Sequence, residues 1–114
     1  MEIREFMESV LEKMQKLEMQ VRTDNGCQVN LVHDNTDCWN NEGISGHLMT
    51  IDEVYRSNAT SENISIRIRI NEYRHSMGHT LESVKFSYKD SKKKQDRLIK
   101  EIVDRYKQII KESK

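Results

Sequence analysis

The chain of 114 residues contains no proline, one alanine, one tryptophan, four glycines and two cysteines. No uninterrupted apolar run is longer than two residues, whereas a bilayer-crossing helix needs about 20 apolar positions in succession, so a transmembrane helix is excluded. Two cysteines without a C-x-x-C pair exclude the zinc-knuckle patterns. Cys27, His33, Cys38 and His47 are metal-ligating types, but a strand followed by a long loop does not fix tetrahedral geometry, and no metal is expected. His75 and His79 flank Gly78 between two strands and read as a loop pair. With so few glycines there is no glycine-rich phosphate loop, nor any nucleophile elbow or paired-histidine helix motif. His33, Asp34, Asp37, Glu42 and His47 could supply proton transfer if they met, yet sequence proximity alone joins them. The expectation is a protein without catalytic activity and without a cofactor.

The opening residues also lack a basic start and an apolar block, because Glu2, Glu5 and Glu8 interrupt them. Neither a signal peptide nor a transit peptide fits, which gives an expected cytoplasmic location, reduced thiols and no membrane partner. Apolar side chains are scarce at 35%, but zero net charge argues against full disorder, and the length suits one domain over residues 1–114.

What the sequence has in abundance is charge, 33% of its residues, balanced at 19 basic and 19 acidic side chains. The balance is a cancellation. Residues 1–57 hold five Lys/Arg against eleven Asp/Glu, and residues 58–114 hold fourteen against eight. Such asymmetry predicts oppositely charged patches, which bear on partners and association rates.

Ile3, Phe6, Met7, Val10, Leu11, Met14, Leu17 and Val21 recur at spacings of three and four, predicting an N-terminal amphipathic helix that Thr23-Asp-Asn-Gly stops. Cys27 to His33 reads as a short strand, His33 to Gly43 as a polar loop, and Ile44 to Met49 as a second strand. Thr50-Ile-Asp-Glu53 fits a capping box, so a short helix over 51–56 competes with a strand there. Ile64, Ile66, Ile68 and Ile70 alternate with polar residues, as do Val84, Phe86 and Tyr88, predicting an antiparallel hairpin with its loop around Gly78. Leu98, Ile99, Ile102, Val103, Tyr106, Ile109 and Ile110 mark one face of a C-terminal helix. The expected fold is α+β: a mainly antiparallel sheet of about four strands, with the N-terminal and C-terminal helices packed on one face.

The face away from the helices is then expected to present Ser65, Arg67, Arg69, Lys85, Ser87 and Lys89. Two partner surfaces follow. One is acidic, built from Asp34, Asp37, Glu42, Asp52 and Glu53 around Trp39, whose indole in a polar loop suits an interface anchor. The other is basic, combining Arg67, Arg69, Lys85 and Lys89 with Lys92, Lys93, Lys94 and Arg97. The three lysines fall in the first turn of the last helix, where the dipole disfavours cations, so helix stability does not account for them.

From Ser87 to about Ile110, the succession of strand, lysines and helix resembles the end of the double-stranded-RNA-binding domain, a likeness that implies lysines straddling phosphates. That family has fewer strands and an alanine-rich last helix, and this helix has no alanine, so membership is not inferred. The expected function is binding a macromolecule, as a phage or mobile-element inhibitor would by blocking a nucleic-acid-processing protein through an acidic surface. The alternative is direct nucleic-acid binding through the basic residues. A protein partner is expected on the first reading, a nucleic acid on the second, and a homodimer is a further possibility because an acidic patch can meet a basic one on a second copy.

Overall fold

A computed structural model describes residues 3–33, 39–40, 43–44, 46–54, 64–74 and 77–112. Helix α1 spans Ile3–Lys16 and helix α2 spans Lys92–Glu112. Between them lie β1 (Gln20–Asp24), β2 (Gln28–Val32), β3 (Trp39–Asn40), β4 (Gly43–Ile44), β5 (Gly46–Glu53), β6 (Ser65–Arg74) and β7 (Met77–Ser87). Five of these strands form one antiparallel sheet in the order β1-β2-β5-β6-β7, and β3 pairs with β4 alone. The architecture is α+β, as the hydrophobic periodicities predict, but the main sheet has five strands instead of four. No helix among the described residues is long and apolar enough to cross a membrane.

The additional strand comes from the end of α1. Leu17 and Val21 continue the helical spacing, yet Glu18 adopts φ 70° and the helix closes after Lys16. Glu18 N–H donates to the Gln15 carbonyl at 3.1 Å and Met19 N–H donates to the Met14 carbonyl at 3.0 Å, a Schellman closure in which buried Met19 and Met14 supply the apolar contact. The helix thus ends nine residues before Asn25. Thr23-Asp-Asn-Gly, read from sequence as the helix stop, instead ends β1 and begins the tight β1–β2 connection. Asn25 Oδ1 accepts from the N–H groups of Cys27 and Gln28, and Gly26 takes φ 89°.

Residues 46–53 also resolve as strand. The capping box at Thr50 is overridden because β5 is central, and Met49 and Ile51 are needed in the core. The β6–β7 hairpin turns between Arg74 and Met77, so Gly78 lies inside β7 and not in the loop. The segment read as a polar loop, His33 to Gly43, contains β3, which pairs Trp39 with Ile44 and Asn40 with Gly43.

Register places the apolar rows together. Val29, Ile51, Ile68 and Val84 are successive cross-strand partners, as are Leu31, Met49 and Ile70. These rows join Phe6, Met7, Val10, Leu11 and Met14 of α1 and Ile99, Ile102, Val103 and Tyr106 of α2 in one buried cluster, so both helices cover the same face. Each fully buried side chain of this size contributes roughly 1.5–3 kcal/mol.

The other face departs from expectation. Ser65 is buried, Arg67, Arg69 and Ser87 are half-buried, and only Lys85 of the sheet positions is exposed. Val32 and Leu48, with Tyr73 against them, form a second apolar cluster there. Tyr73 has Gly46 on one side and Gly78 on the other. Its ring occupies the space a side chain at 78 would take, since a Cβ there would lie 2.4 Å from Tyr73 Cε1.

Candidate functional site

Across the face away from the helices runs a line of polar side chains, one from each strand of the main sheet. Asn30 Nδ2 donates to Thr23 Oγ1 at 2.8 Å, and Thr50 Oγ1 donates to Asn30 Oδ1 at 2.8 Å. Asn71 Nδ2 donates to Thr50 Oγ1 at 2.9 Å, and Thr80 Oγ1 donates to Asn71 Oδ1 at 3.0 Å. Thr50 and Asn71 are buried, and a buried polar group left unpaired costs about 1–3 kcal/mol, so the line holds five strands in one register.

Beside it, Gln28, Asp52, Arg67 and Lys85 form a second cross-strand row. Asp52, expected in the acidic surface, instead accepts from Arg67 Nη2 at 2.9 Å and Arg69 Nη2 at 3.2 Å. Its side chain is only 18% exposed. The hydrogen bond to Asp52 raises the Arg67 pKa above its ordinary value. One carboxylate serves two guanidiniums, and Arg69 Nε stays buried without an acceptor. Lys85 opposes Arg67 directly and has no acidic partner among the described residues. The structure therefore joins residues assigned from sequence to separate surfaces.

The remaining cations lie elsewhere. Because α2 covers the opposite face, Lys92, Lys93, Lys94 and Arg97 do not extend the row of Arg67, Arg69 and Lys85. Lys94 is paired with Asp90 at 3.2 Å and Arg97 with Glu101 at 3.8 Å. Ser91 caps the helix, its Oγ accepting from Lys94 N–H at 3.2 Å. Asp90 also accepts from Ser87 N–H, and this bond, with Lys94 assisting, holds its pKa below the ordinary value. Lys92 and Lys93 are exposed and have no acidic partner among the described residues. Lys89, which lies in the turn before α2, is exposed and does have a partner. Of the acidic set, Glu53 is exposed at the end of β5; Asp34, Asp37 and Glu42 lie outside the described residues, and Trp39 is described only through its strand pairing.

Sequence reasoning missed a groove between α1 and the first turns of α2. Two adjoining hollows of about 590 and 410 Å³ share Lys13, Lys16 and Lys92 as lining. Phe6 and Tyr88 line the first, and Leu17, Ile99 and Lys100 line the second. Phe6 and Ile99 are buried at its base, and Tyr88, its ring edge-on to Phe6 at 5.7 Å, is partly exposed. Lys13 pairs with Asp96 across the two helices, Lys16 pairs with Glu12 at 3.7 Å, and Lys100 with Asp104 at 2.8 Å. No periodicity signals this arrangement, because it depends on how two separate helices settle on one sheet.

Among the described residues, no group of three His, Cys, Asp or Glu side chains gathers as a metal site. Cys27 is an exposed free thiol in the β1–β2 turn. No protein-family model, curated protein or solved structure matches the chain. The likeness to the end of the double-stranded-RNA-binding domain stays one of element order, set against a five-stranded sheet.

Proposed function

We propose that this chain is a non-catalytic binding protein that holds an acidic segment of a macromolecular partner in the groove between α1 and the start of α2. The observation that carries this reading is the lining: four lysines, Lys13, Lys16, Lys92 and Lys100, against three acids, Glu12, Asp90 and Asp96, rim two adjoining hollows that reach buried Phe6 and Ile99. Apolar area at the centre with charge at the rim is the anatomy of a protein interface. Lysine methylenes add apolar cover while the ammonium groups stay in water to meet carboxylates. An inhibitor acting through an acidic surface would draw on Asp52 and Glu53, and Asp52 is occupied by Arg67 and Arg69.

A second reading is direct nucleic-acid binding. Lys85, Lys92 and Lys93 favour it, being cations without an acidic partner among the described residues. Phosphate contacts of this kind give affinity that falls steeply with added salt.

Capture from the native host with the parent chain and with a Lys16→Glu/Lys92→Glu double variant tests the first reading. The parent is expected to retain a partner that the variant loses, and equal recovery by both contradicts the groove. A gel shift at two ionic strengths tests the second. Complexes at low salt that dissolve at high salt support it, and no complex at low salt removes it.

A further inference from the structure

We propose that two copies of this chain pair through the outer edges of β7, joining their sheets across a twofold axis. This contact is independent of the groove between the helices. Among the described residues β7, at 11 residues, is the longest strand and has a neighbour, β6, on one side only. Tyr88 N–H donates to the Ile64 carbonyl at 2.8 Å, so in the register that follows Phe86, Val84 and Glu82 turn their backbone groups toward β6. Ser87, Lys85 and Ser83 turn theirs outward. Those of Ser87 are occupied, its N–H donating to Asp90 at 2.9 Å and its carbonyl accepting from Asp90 N–H at 3.1 Å and Gln95 Nε2 at 3.2 Å. Among the described residues, no strand lies beside Ser83 and Lys85 on that side. Beyond the irregularity at residues 80–82, where Asn71 faces Thr80 and Tyr73 faces Gly78, the same alternation leaves Thr80 and Gly78 outward.

Such a row is a template for another strand, and the sequence has no proline to block it. The opposite edge, β1, has five residues and its pairing is broken between Val21 and Thr23.

The chemistry beside β7 selects a second copy as the occupant. A groove of about 350 Å³ runs between β7 and α2, lined by Glu82, Ser83, Val84, Glu101, Ile102 and Arg105. With Val84 on the twofold axis, Ser83 of each copy faces Lys85 of the other, and both outward pairs form hydrogen bonds. Glu82 then faces Phe86 instead of its own copy, and Lys85 does not face Lys85. Beside the seam, Arg105 is held by Glu82 of its own copy at 3.0 Å and Glu101 by Arg97 at 3.8 Å, so the twofold brings no unpaired α2 charge against its like. The edge is self-complementary in backbone and sets no like charges opposite one another, as an isologous contact requires.

Light scattering on the full chain, read together with amide hydrogen exchange, tests this. The expected mass is twice 13.6 kDa, with Ser83 and Lys85 amides protected and that protection lost on dilution. Ser83→Pro removes an outward N–H and leaves the β6 ladder intact, so this variant is expected at the mass of one chain with an unchanged circular dichroism spectrum. A parent mass of one chain at high concentration overturns the proposal. So does a dimer whose Ser83 and Lys85 amides exchange freely, or a folded Ser83→Pro variant that still dimerises. If Ser83→Pro does not fold, exchange at Lys85 in the parent still decides.

Discussion

Glu18 holds the αL conformation at φ 70°, where a Cβ costs roughly 1 kcal/mol that glycine does not incur. Its position in the α1 closure is set by Met14 and Met19, both buried, which anchor the chain on either side of the turn. Glu18→Gly is therefore expected to raise stability by about 0.5–1 kcal/mol, measured by urea denaturation, and a loss would mean that the side chain makes a contribution the geometry does not account for. The same residue explains the misplaced helix end. Leu17 and Val21 sit at helical spacing, and glutamate is a good helix former, so nothing local announces a left-handed turn. Only the demand of β2 for a partner strand does. Gly78 is the opposite case, a glycine whose reason is Tyr73 on the neighbouring strand, out of reach of any local signal.

At the scale of elements, the sheet is held by apolar rows on one face and by the Thr23-Asn30-Thr50-Asn71-Thr80 line on the other. Thr50→Val removes the hydroxyl that half-buried Asn30 and buried Asn71 both use, so a loss of about 1–3 kcal/mol is expected. Thr80→Val, at the exposed end of the line, is expected to cost no more than about 1 kcal/mol. Equal losses in thermal melts would contradict the line as a cooperative unit. The isoleucine alternation of β6 and the helical stripe of α2 were legible in sequence because each rests on a period of its own. The polar line was not, since Thr50 and Asn71 are far apart in the chain and read alone as a helix cap and a solvated strand position. The ion pairs of Asp52 were not legible for the same reason: its arginine partners lie 15 and 17 residues away.

At the scale of the whole molecule, part of the charge segregated along the chain is paired among the described residues, because antiparallel pairing and the settling of α1 beside α2 bring cations and anions of the two halves together. Lys13 meets Asp96, and Arg67 and Arg69 meet Asp52. Asp24 has its pKa held below the ordinary carboxylate value chiefly by Arg4, and Asp90 chiefly by the Ser87 N–H. A depressed folded-state pKa contributes stability that is present above about pH 4 and lost as pH falls through the folded value. The parent is expected to lose thermal stability more steeply between pH 5 and about pH 2 than an Asp24→Asn/Asp90→Asn variant, which starts lower at neutral pH; parallel curves would contradict these roles. In the groove between the helices, Lys92 alone of the four lysines keeps no acidic partner among the described residues, while Lys13, Lys16 and Lys100 are paired at its rim. Nuclear magnetic resonance of the isotope-labelled full chain, titrated with an acidic amphipathic peptide, tests the groove most directly. The account predicts shifts centred on Lys13, Lys16, Leu17, Lys92 and Ile99, weakened by Lys16→Glu/Lys92→Glu. Shifts confined to Arg67, Lys85 and their neighbours on the other face of the sheet would contradict it.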